Sequence, residues 1–361
     1  MNLAIYGAQS MAIGAYEAIH NICPDREPCC FLVTERKGNP ESLFGIPVLE
    51  TVLFSESLSP SEKLEIEILI ATPEYVMPEI EEILNQNGLY CHVRLTSSRW
   101  ADLVSYYYIS DRNYTPLRAF PVGFHRANIH VFMAKFYMDK PLTKRHDLPE
   151  WITPIQVGAA LCKERVANIL DCDGENISVK NLNYSELTAL YWIWRNRLLY
   201  PSAEERYEYY GLVHYRRVLE FTEDDELRLA DNDIDVVLPY PMPYEPDIEA
   251  HHNRYLKGED WEAVRNAVSE IYPEYGRFFP GVLKQRYLYN YNIVLARKTV
   301  LEEYCSWLFP ILERLEENSI PRGIDRTDRY VGYAGETLAT LYFMYNRDRL
   351  HIAHTECRFL T

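Results

Sequence analysis

The chain has no run of about 20 apolar residues, the length a helix needs to cross a bilayer. Its start, Met1-Asn-Leu-Ala-Ile-Tyr-Gly7, lacks the basic and then apolar regions of a secretory signal. None of the eight cysteines (Cys23, Cys29, Cys30, Cys91, Cys162, Cys172, Cys305 and Cys357) stands in a C-x-x-C pair, which argues against a zinc knuckle or a redox motif. Together these absences predict a cytoplasmic protein with reduced thiols, with peripheral contact at the inner membrane the only membrane association left open. Positive charge is also short. Lys and Arg number 37 against 53 Asp and Glu, for a net charge of −16. Phosphate backbones need a basic face, so nucleic acid is excluded as the main partner.

What is present is globular: 47% apolar, 25% charged, 361 residues, enough for two domains. The 29 tyrosines add large amphipathic surface of the kind that lines carbohydrate and nucleotide sites as well as cores.

Strand and helix patterns alternate from the start. Asn2 to Tyr6, Cys29 to Val33, Ile66 to Ala71 and Tyr90 to Leu95 read as strands, Gly45 to Val48 as an edge strand, and Met77 to Asn87 as an amphipathic helix. This predicts an α/β class with a Rossmann-like parallel sheet over residues 1–120, a linker at 121–127, and a second α/β domain over 128–361. The first turn keeps only Gly7 and Gly14 of a G-x-G-x-x-G fingerprint, with Ala8-Gln9 at the second glycine. A nucleotide phosphate at the helix N-terminus, with Glu35 on a ribose, competes with a plain turn and an exposed Glu.

In the second domain Asn128 to Ala134 opens a sheet, and Leu187, Leu190, Tyr191 and Trp194 recur at helical spacing. Ile234 to Pro239 and Tyr289 to Leu295 read as strands. Trp261 to Ile271, Leu301 to Leu315 and a last segment from Gly335 read as helices. The central stretch is Tyr209-Tyr-Gly-Leu-Val-His-Tyr-Arg-Arg217. As a continuous strand it puts His214 and Arg216 on one face and Tyr215 and Arg217 on the other. His214 and Arg216 then suit an anion such as a diphosphate; the alternative is that the arginines pair with the carboxylates at 223 to 226.

Other candidates carry two readings each. Asp171-Cys-Asp173, Asp231-Asn-Asp233 and Asp233-Ile-Asp235 are Asp-x-Asp pairs, or solvated turns of an acidic chain. Glu186 follows Asn183 by three residues, which reads as a capping box or as a ligand carboxylate. Glu336 reads as a helix-start acid in the dipole or as a general base. Asn292, at a strand's end, has an amide suited to sugar hydroxyls. His251-His252 has no partner at metal spacing and reads as a surface loop.

Residues Val157 to Ala160, Asp173 to Ser178, Asn181 with Tyr184 to Trp194, and Gly211 to Arg217 resemble bacterial capsular and exopolysaccharide synthesis proteins that share domain of unknown function 4422. Asp235 to Pro239, Tyr291-Asn292, Trp307 to Phe309 and Gly335-Glu336 fit as well, so the resemblance covers residues 128 to 350. Residues 1–120 are similar to sugar-nucleotide-type Rossmann domains fused to bacterial polysaccharide enzymes. The resemblance implies a GT-A-type glycosyltransferase domain. One departure stands out: where relatives carry Thr-His-Lys, this chain has Met133-Ala-Lys-Phe136, leaving Lys135 to take any role of that His.

Such an enzyme binds a nucleotide-sugar donor, stabilises the leaving diphosphate and deprotonates a hydroxyl of a glycan or lipid-linked acceptor. GT-A enzymes commonly hold Mg or Mn with an Asp-x-Asp at a strand end. Here that place is taken by His214-Tyr-Arg216. The expectation is therefore catalytic Arg216 and His214 in place of the metal, with Arg217 beside them and Glu336 as base. Asp173, Asn176, Lys180, Asn181, Glu186 and Asn292 are expected to bind substrate. The alternatives are a silent sugar-nucleotide-binding protein and an NAD-dependent sugar oxidoreductase or epimerase. The degenerate Gly7 turn and the lack of Tyr-x-x-x-Lys in residues 1–120 count against the last.

Overall fold

A computed structural model describes residues 2–200 and 208–360. The chain divides into two compact units. Met1–Tyr114 with Met242–Asp247 form the first, and Thr115–Pro241 with Ile248–Thr361 the second. The excursion at 242–247 had no signal in the sequence.

The first unit runs β1 (Leu3–Tyr6), α1 (Ser10–Ile22), β2 (Pro28–Val33), β3 (Ser42–Leu43), β4 (Ile46–Glu50), α2 (Thr51–Ser57), α3 (Pro60–Glu65), β5 (Glu67–Ile70), α4 (Met77–Gln86), β6 (His92–Arg94) and α5 (Ser97–Asp111). Its sheet order is β3-β4-β2-β1-β5-β6, parallel except for the β3–β4 edge. That is the alternating Rossmann-like arrangement expected. Apolar strands such as Leu3–Tyr6 are buried along their whole length because helices cover both faces. Gly7 has φ +124°, and a Cβ there would lie 2.7 Å from the Ala71 carbonyl, so the turn requires glycine. Gly14 is different. It lies inside α1, where a Cβ would meet Trp100 at 3.1 Å and Val104 at 3.4 Å of α5. It is a helix-packing residue, which corrects its assignment to a phosphate turn. Glu35 is exposed just past β2.

The second unit contains β7 (Asn128–Lys135), β8 (Ile152–Gln156), β9 (Ile169–Leu170), α6 (Asn181–Tyr184), α7 (Leu187–Ile193), β10 (Glu208–His214), β11 (Arg217–Leu219), α8 (Glu223–Asp231) and β12 (Val236–Pro239). The chain then passes through β13 (Met242–Pro243), which belongs to the first unit. It returns with α9 (Ile248–His252), α10 (Gly258–Ile271), α11 (Pro273–Leu283), β14 (Tyr287–Leu288), β15 (Val294–Arg297), α12 (Lys298–Asn318), α13 (Tyr330–Tyr345), β16 (Ile352–Thr355) and β17 (Cys357–Phe359). The sheet order is β16-β12-β15-β10-β7-β8-β9, with β11 joining β10 to β17. Strands β10, β7, β8 and β9 run parallel, and β15 is antiparallel to β10 and to β12.

Strand β10 is central and aromatic-rich. A Cβ at Gly211 would meet the Val294 carbonyl at 2.6 Å, so glycine allows β15 to lie close. One core cluster joins Val131, Met133, Tyr209 and Val213 of these strands to Leu229 of α8 and Ala353 of β16. Helix α13 is buried almost all round. Its small residues Gly332, Ala334 and Gly335 let it sit deep; a Cβ at Gly335 would be 2.7 Å from Leu187.

Candidate active site

Strands β8, β7 and β10 end side by side at Gln156, Lys135 and His214. The antiparallel pairing of β10 with β15 ends where Leu212 faces Val294, and the turn at Tyr291 and Asn292 just before β15 lies beside His214. A cleft of about 490 Å³ opens at this edge. The carboxyl ends of strands are where open α/β sheets bind ligands.

The chain reverses after His214. Tyr215 and Arg216 form a two-residue turn, and His214 pairs directly with Arg217 of β11. Opposed residues of an antiparallel pair project on one face. His214 and Arg217 therefore share the cleft, and Tyr215 lines it too. This corrects the expected pairing of His214 with Arg216, which needed the strand to continue. Arg216 is no part of the cleft lining; its Nη2 donates to the carbonyls of Lys140 (3.2 Å) and Pro141 (3.4 Å). The acidic run is occupied elsewhere: Glu223 and Glu226 pair with Arg126, and Asp225 with Arg228.

The His214 Nε2 lies 2.8 Å from the Tyr291 carbonyl. A carbonyl only accepts, so this geometry assigns the proton to Nε2. The same nitrogen is 3.7 Å from Glu186 Oε1, which also accepts from Asn292 Nδ2 at 2.7 Å. Burial pushes the Glu186 carboxyl up, but His214 and the Asn292 amide outweigh it and hold the group below the usual carboxylate range. Of the two readings of Glu186, the Asn183–Glu186 capping box does not form. Ser185 has φ 50° and breaks the helix between them, Asn183 Nδ2 donates to the Gly323 carbonyl, and Glu186 turns into the cleft.

Glu336 is not at a helix start. Helix α13 begins at Tyr330, so Glu336 sits in its second turn, 9% exposed, on the cleft wall. Its Oε1 accepts from the Tyr291 N–H at 2.9 Å, and its Oε2 is 3.5 Å from His252 Nε2. Tyr291 is thus the hub: its carbonyl holds His214, its N–H holds Glu336, and its ring carries the Arg217 guanidinium 3.9 Å from the centroid.

Four non-glycine residues on or beside the cleft have positive φ: Ser185 (50°), Tyr291 (68°), Asn292 (50°) and Arg329 (62°). Each costs on the order of 1–3 kcal/mol, and such strain gathers at functional sites held by their surroundings. Here the holding bonds are those of Tyr291 and Asn292 above, and Arg329 Nε to Ser185 Oγ at 2.9 Å. Arg329 also lines the cleft, adding a second guanidinium to that of Arg217.

The remaining candidates scatter. Asn181 lines the cleft but spends its amide on the Ser185 carbonyl (2.7 Å) and Thr188 Oγ1 (3.2 Å). Lys180 pairs with Glu316 at 2.5 Å, away from the cleft lining. Asn176 closes its own loop through the carbonyls of Cys172 and Gly174. Asp173 lines a separate cavity of about 650 Å³ with Trp192, Arg197 and Lys298. Asp171 is fully buried, accepting from the Gly158 and Ala159 N–H groups and the Ser178 hydroxyl at 2.8, 3.0 and 2.5 Å. Asp171 therefore fixes a backbone turn and forms no Asp-x-Asp site with Asp173. His252 is wholly buried, which corrects its reading as a surface loop. The sequence marks Tyr291 only as part of the Tyr291-Asn292 family motif and His252 only as a surface pair with His251, and it gives Arg329 no local signal.

A hard divalent cation takes clustered oxygen ligands. At the end of β10 the side chains are His214, Tyr215 and Arg217, and among the described residues no group of three or more His, Cys, Asp or Glu could hold a metal ion. This donor set does not fit the Asp-x-Asp metal site, and no step below is routed through a metal.

Residues 140–347 match the family model described as Domain of unknown function (DUF4422), and the chain belongs to that family. A solved structure titled as the WbbM bifunctional glycosyltransferase in its apo form matches with 24% identity and a TM-score of 0.54. The match covers 65% of this chain and 45% of that one, so the chain spans less than half of that protein's length. The fold class is thus α/β, and the matched part of the chain shares the fold of that structure. No curated protein matches the chain. Among the described residues, no helix is long and apolar enough to cross a membrane.

Proposed function

We propose that the chain is a glycosyltransferase of hexosyltransferase type, moving a sugar from a nucleotide-diphosphate donor to a glycan or lipid-linked acceptor in surface polysaccharide synthesis. The observation that carries this reading is the pairing of His214 with Arg217 on one face at the end of β10, in a cleft that also holds Glu186 and Glu336. Two guanidiniums, Arg217 and Arg329, provide charge for a leaving diphosphate, and Arg can grip its oxygens bidentately. His214 donates from Nε2 and stays oriented by the Tyr291 carbonyl. Glu186, kept ionised by His214 and Asn292, accepts from donor-sugar hydroxyls. Glu336 takes the proton of the acceptor hydroxyl as that oxygen attacks the anomeric carbon, and the bond to the diphosphate breaks with its electron pair. The protein works in the cytoplasm, with contact at the inner membrane face limited to the acceptor.

A panel of UDP-, GDP- and dTDP-sugars, assayed for hydrolysis and transfer with and without EDTA, tests the reading. Turnover of one donor that survives EDTA is expected. Strict Mn²⁺ or Mg²⁺ dependence would contradict the role given to the arginines, and no turnover of any donor would contradict the enzyme.

A further inference from the structure

His252 ends the short helix α9 and is fully buried. It does not line the cleft, yet its Nε2 faces a carboxylate that does. Nε2 lies 3.5 Å from Glu336 Oε2 and has no hydrogen-bond partner. Its Nδ1 lies 2.8 Å from the hydroxyl of Thr337, the residue after Glu336 on α13. Both ring nitrogens thus address adjacent residues of one helix. The ring is clamped by aromatic neighbours. Trp261 of α10 stacks on it at 6.2 Å and 26°, and Tyr333 of α13 stands edge-on at 6.1 Å. The titratable groups around it are His251 and Tyr255 from its own segment and Tyr333 and Glu336 from α13. Helix α10 contributes Trp261, which does not titrate.

A buried imidazole nitrogen without a partner calls for an explanation, because nearly all buried polar atoms are paired. Core packing alone would favour an aromatic residue without nitrogens. The geometry gives another reason. Glu336 Oε1 is already committed to the Tyr291 N–H, so Oε2 is the oxygen left to take a proton, and Nε2 is the atom next to it.

We propose that His252 is the positioning residue of Glu336 and holds a share of the proton that Glu336 takes up. The inference rests on the glycosyltransferase reading for the source of that proton. As the acceptor hydroxyl attacks, its O–H bond breaks and the proton passes to Oε2. The new glycosidic bond forms, and the electron pair of the broken bond leaves with the diphosphate. The Oε2–H then closes onto Nε2, so the proton is shared between carboxyl and imidazole until it is released to solvent through the cleft.

Four variants test this: His252→Phe, which keeps the stacked ring and removes both nitrogens; His252→Gln, which restores a hydrogen-bonding group; Glu336→Gln; and the double variant of His252→Phe with Glu336→Gln. Glu336→Gln is expected to lose about 10²–10⁴ in kcat, and His252→Phe about tenfold, with donor KM within about twofold of wild type. The acid limb of the kcat profile is expected to move in His252→Phe, His252→Gln to recover part of the rate, and the double variant to be no slower than Glu336→Gln alone. Independent of turnover, ¹⁵N NMR of the imidazole should show the His252 titration displaced in Glu336→Gln. An unmoved titration, or additive losses in the double variant, would overturn the pair. A His252 titration displaced between wild type and Glu336→Gln, in a wild-type enzyme that transfers no sugar, would leave the pair standing and overturn the glycosyltransferase reading instead. Thermal melts of each variant identify losses caused by unfolding, in which case His252→Gln decides the outcome.

Discussion

At the residue scale, burial in the second unit keeps the His354 imidazole neutral. Burial holds His354 at about 3, against an ordinary value near 6.5. It sits at 5% exposure, 2.9 Å from the Tyr289 hydroxyl and stacked between Tyr240 and Tyr289. The folded state therefore refuses a proton that the unfolded state accepts. The stability this provides is complete above about pH 6.5 and is lost as pH falls toward 3, at roughly 1.4 kcal/mol per pH unit for one proton. His251, driven down to about 3 by burial, then by His252 and Arg254, acts in the same window and direction. Urea denaturation between pH 7 and 4 should show a steeper loss for wild type than for His354→Gln. Equal slopes would mean that His354 is protonated in the folded protein. Glu186 adds to the loss at lower pH, since its depressed carboxyl stabilises the fold only while ionised.

At the element scale, short turns decide which side chains reach the cleft. Gly158, just past β8, has φ +63°, and a Cβ there would lie 2.8 Å from Asn181 Oδ1. Its N–H and that of Ala159 are held by buried Asp171. Gly158→Ala should cost about 1–3 kcal/mol from the left-handed backbone. The same change displaces Val157 and Asn181 from the cleft wall, so a lower Tm should come with weaker nucleotide binding. An unchanged Tm would show that the turn relaxes freely. Strands β1, β2, β5, β7, β10 and β12 and helices α4, α10, α12 and α13 were legible because their apolar patterns are strong, whereas β8, β9, β16 and β17 carry no such run and β15 lies at Val294–Arg297, later than the strand expected over 289–295. Helices α5, α8 and α11 were not legible either: α5 carries Tyr106 to Tyr108 in succession, α8 opens with four acids, and α11 contains Pro280. The β10–β11 reversal was the costliest omission. Tyr215-Arg216 contains none of the Gly, Asn, Asp or Pro that usually mark a two-residue hairpin turn, so alternation was carried one residue too far. That single step exchanged Arg216 for Arg217.

At the scale of the whole molecule, an acidic chain sets two guanidiniums, Arg217 and Arg329, among the carboxylates Asp139, Glu186 and Glu336 where three parallel strands end. Net charge of −16 describes the surface as a whole and says nothing of this edge. The family resemblance located the right strand and the Tyr291-Asn292 motif, while the roles of Tyr291 and His252, and the presence of Arg329, came to light only once the sheet register and α13 were in place. The claim that organises these residues is that Arg217, on the His214 face, binds the diphosphate of a nucleotide donor. Isothermal titration of UDP, GDP and dTDP into wild type, Arg217→Ala and Arg216→Ala tests it directly. The account predicts that one nucleoside diphosphate binds wild type, that Arg217→Ala weakens it about tenfold or more, and that Arg216→Ala stays within about twofold, since a lost charge-assisted contact is worth about 1.5–3 kcal/mol. Undiminished binding by Arg217→Ala, or loss confined to Arg216→Ala, would contradict it.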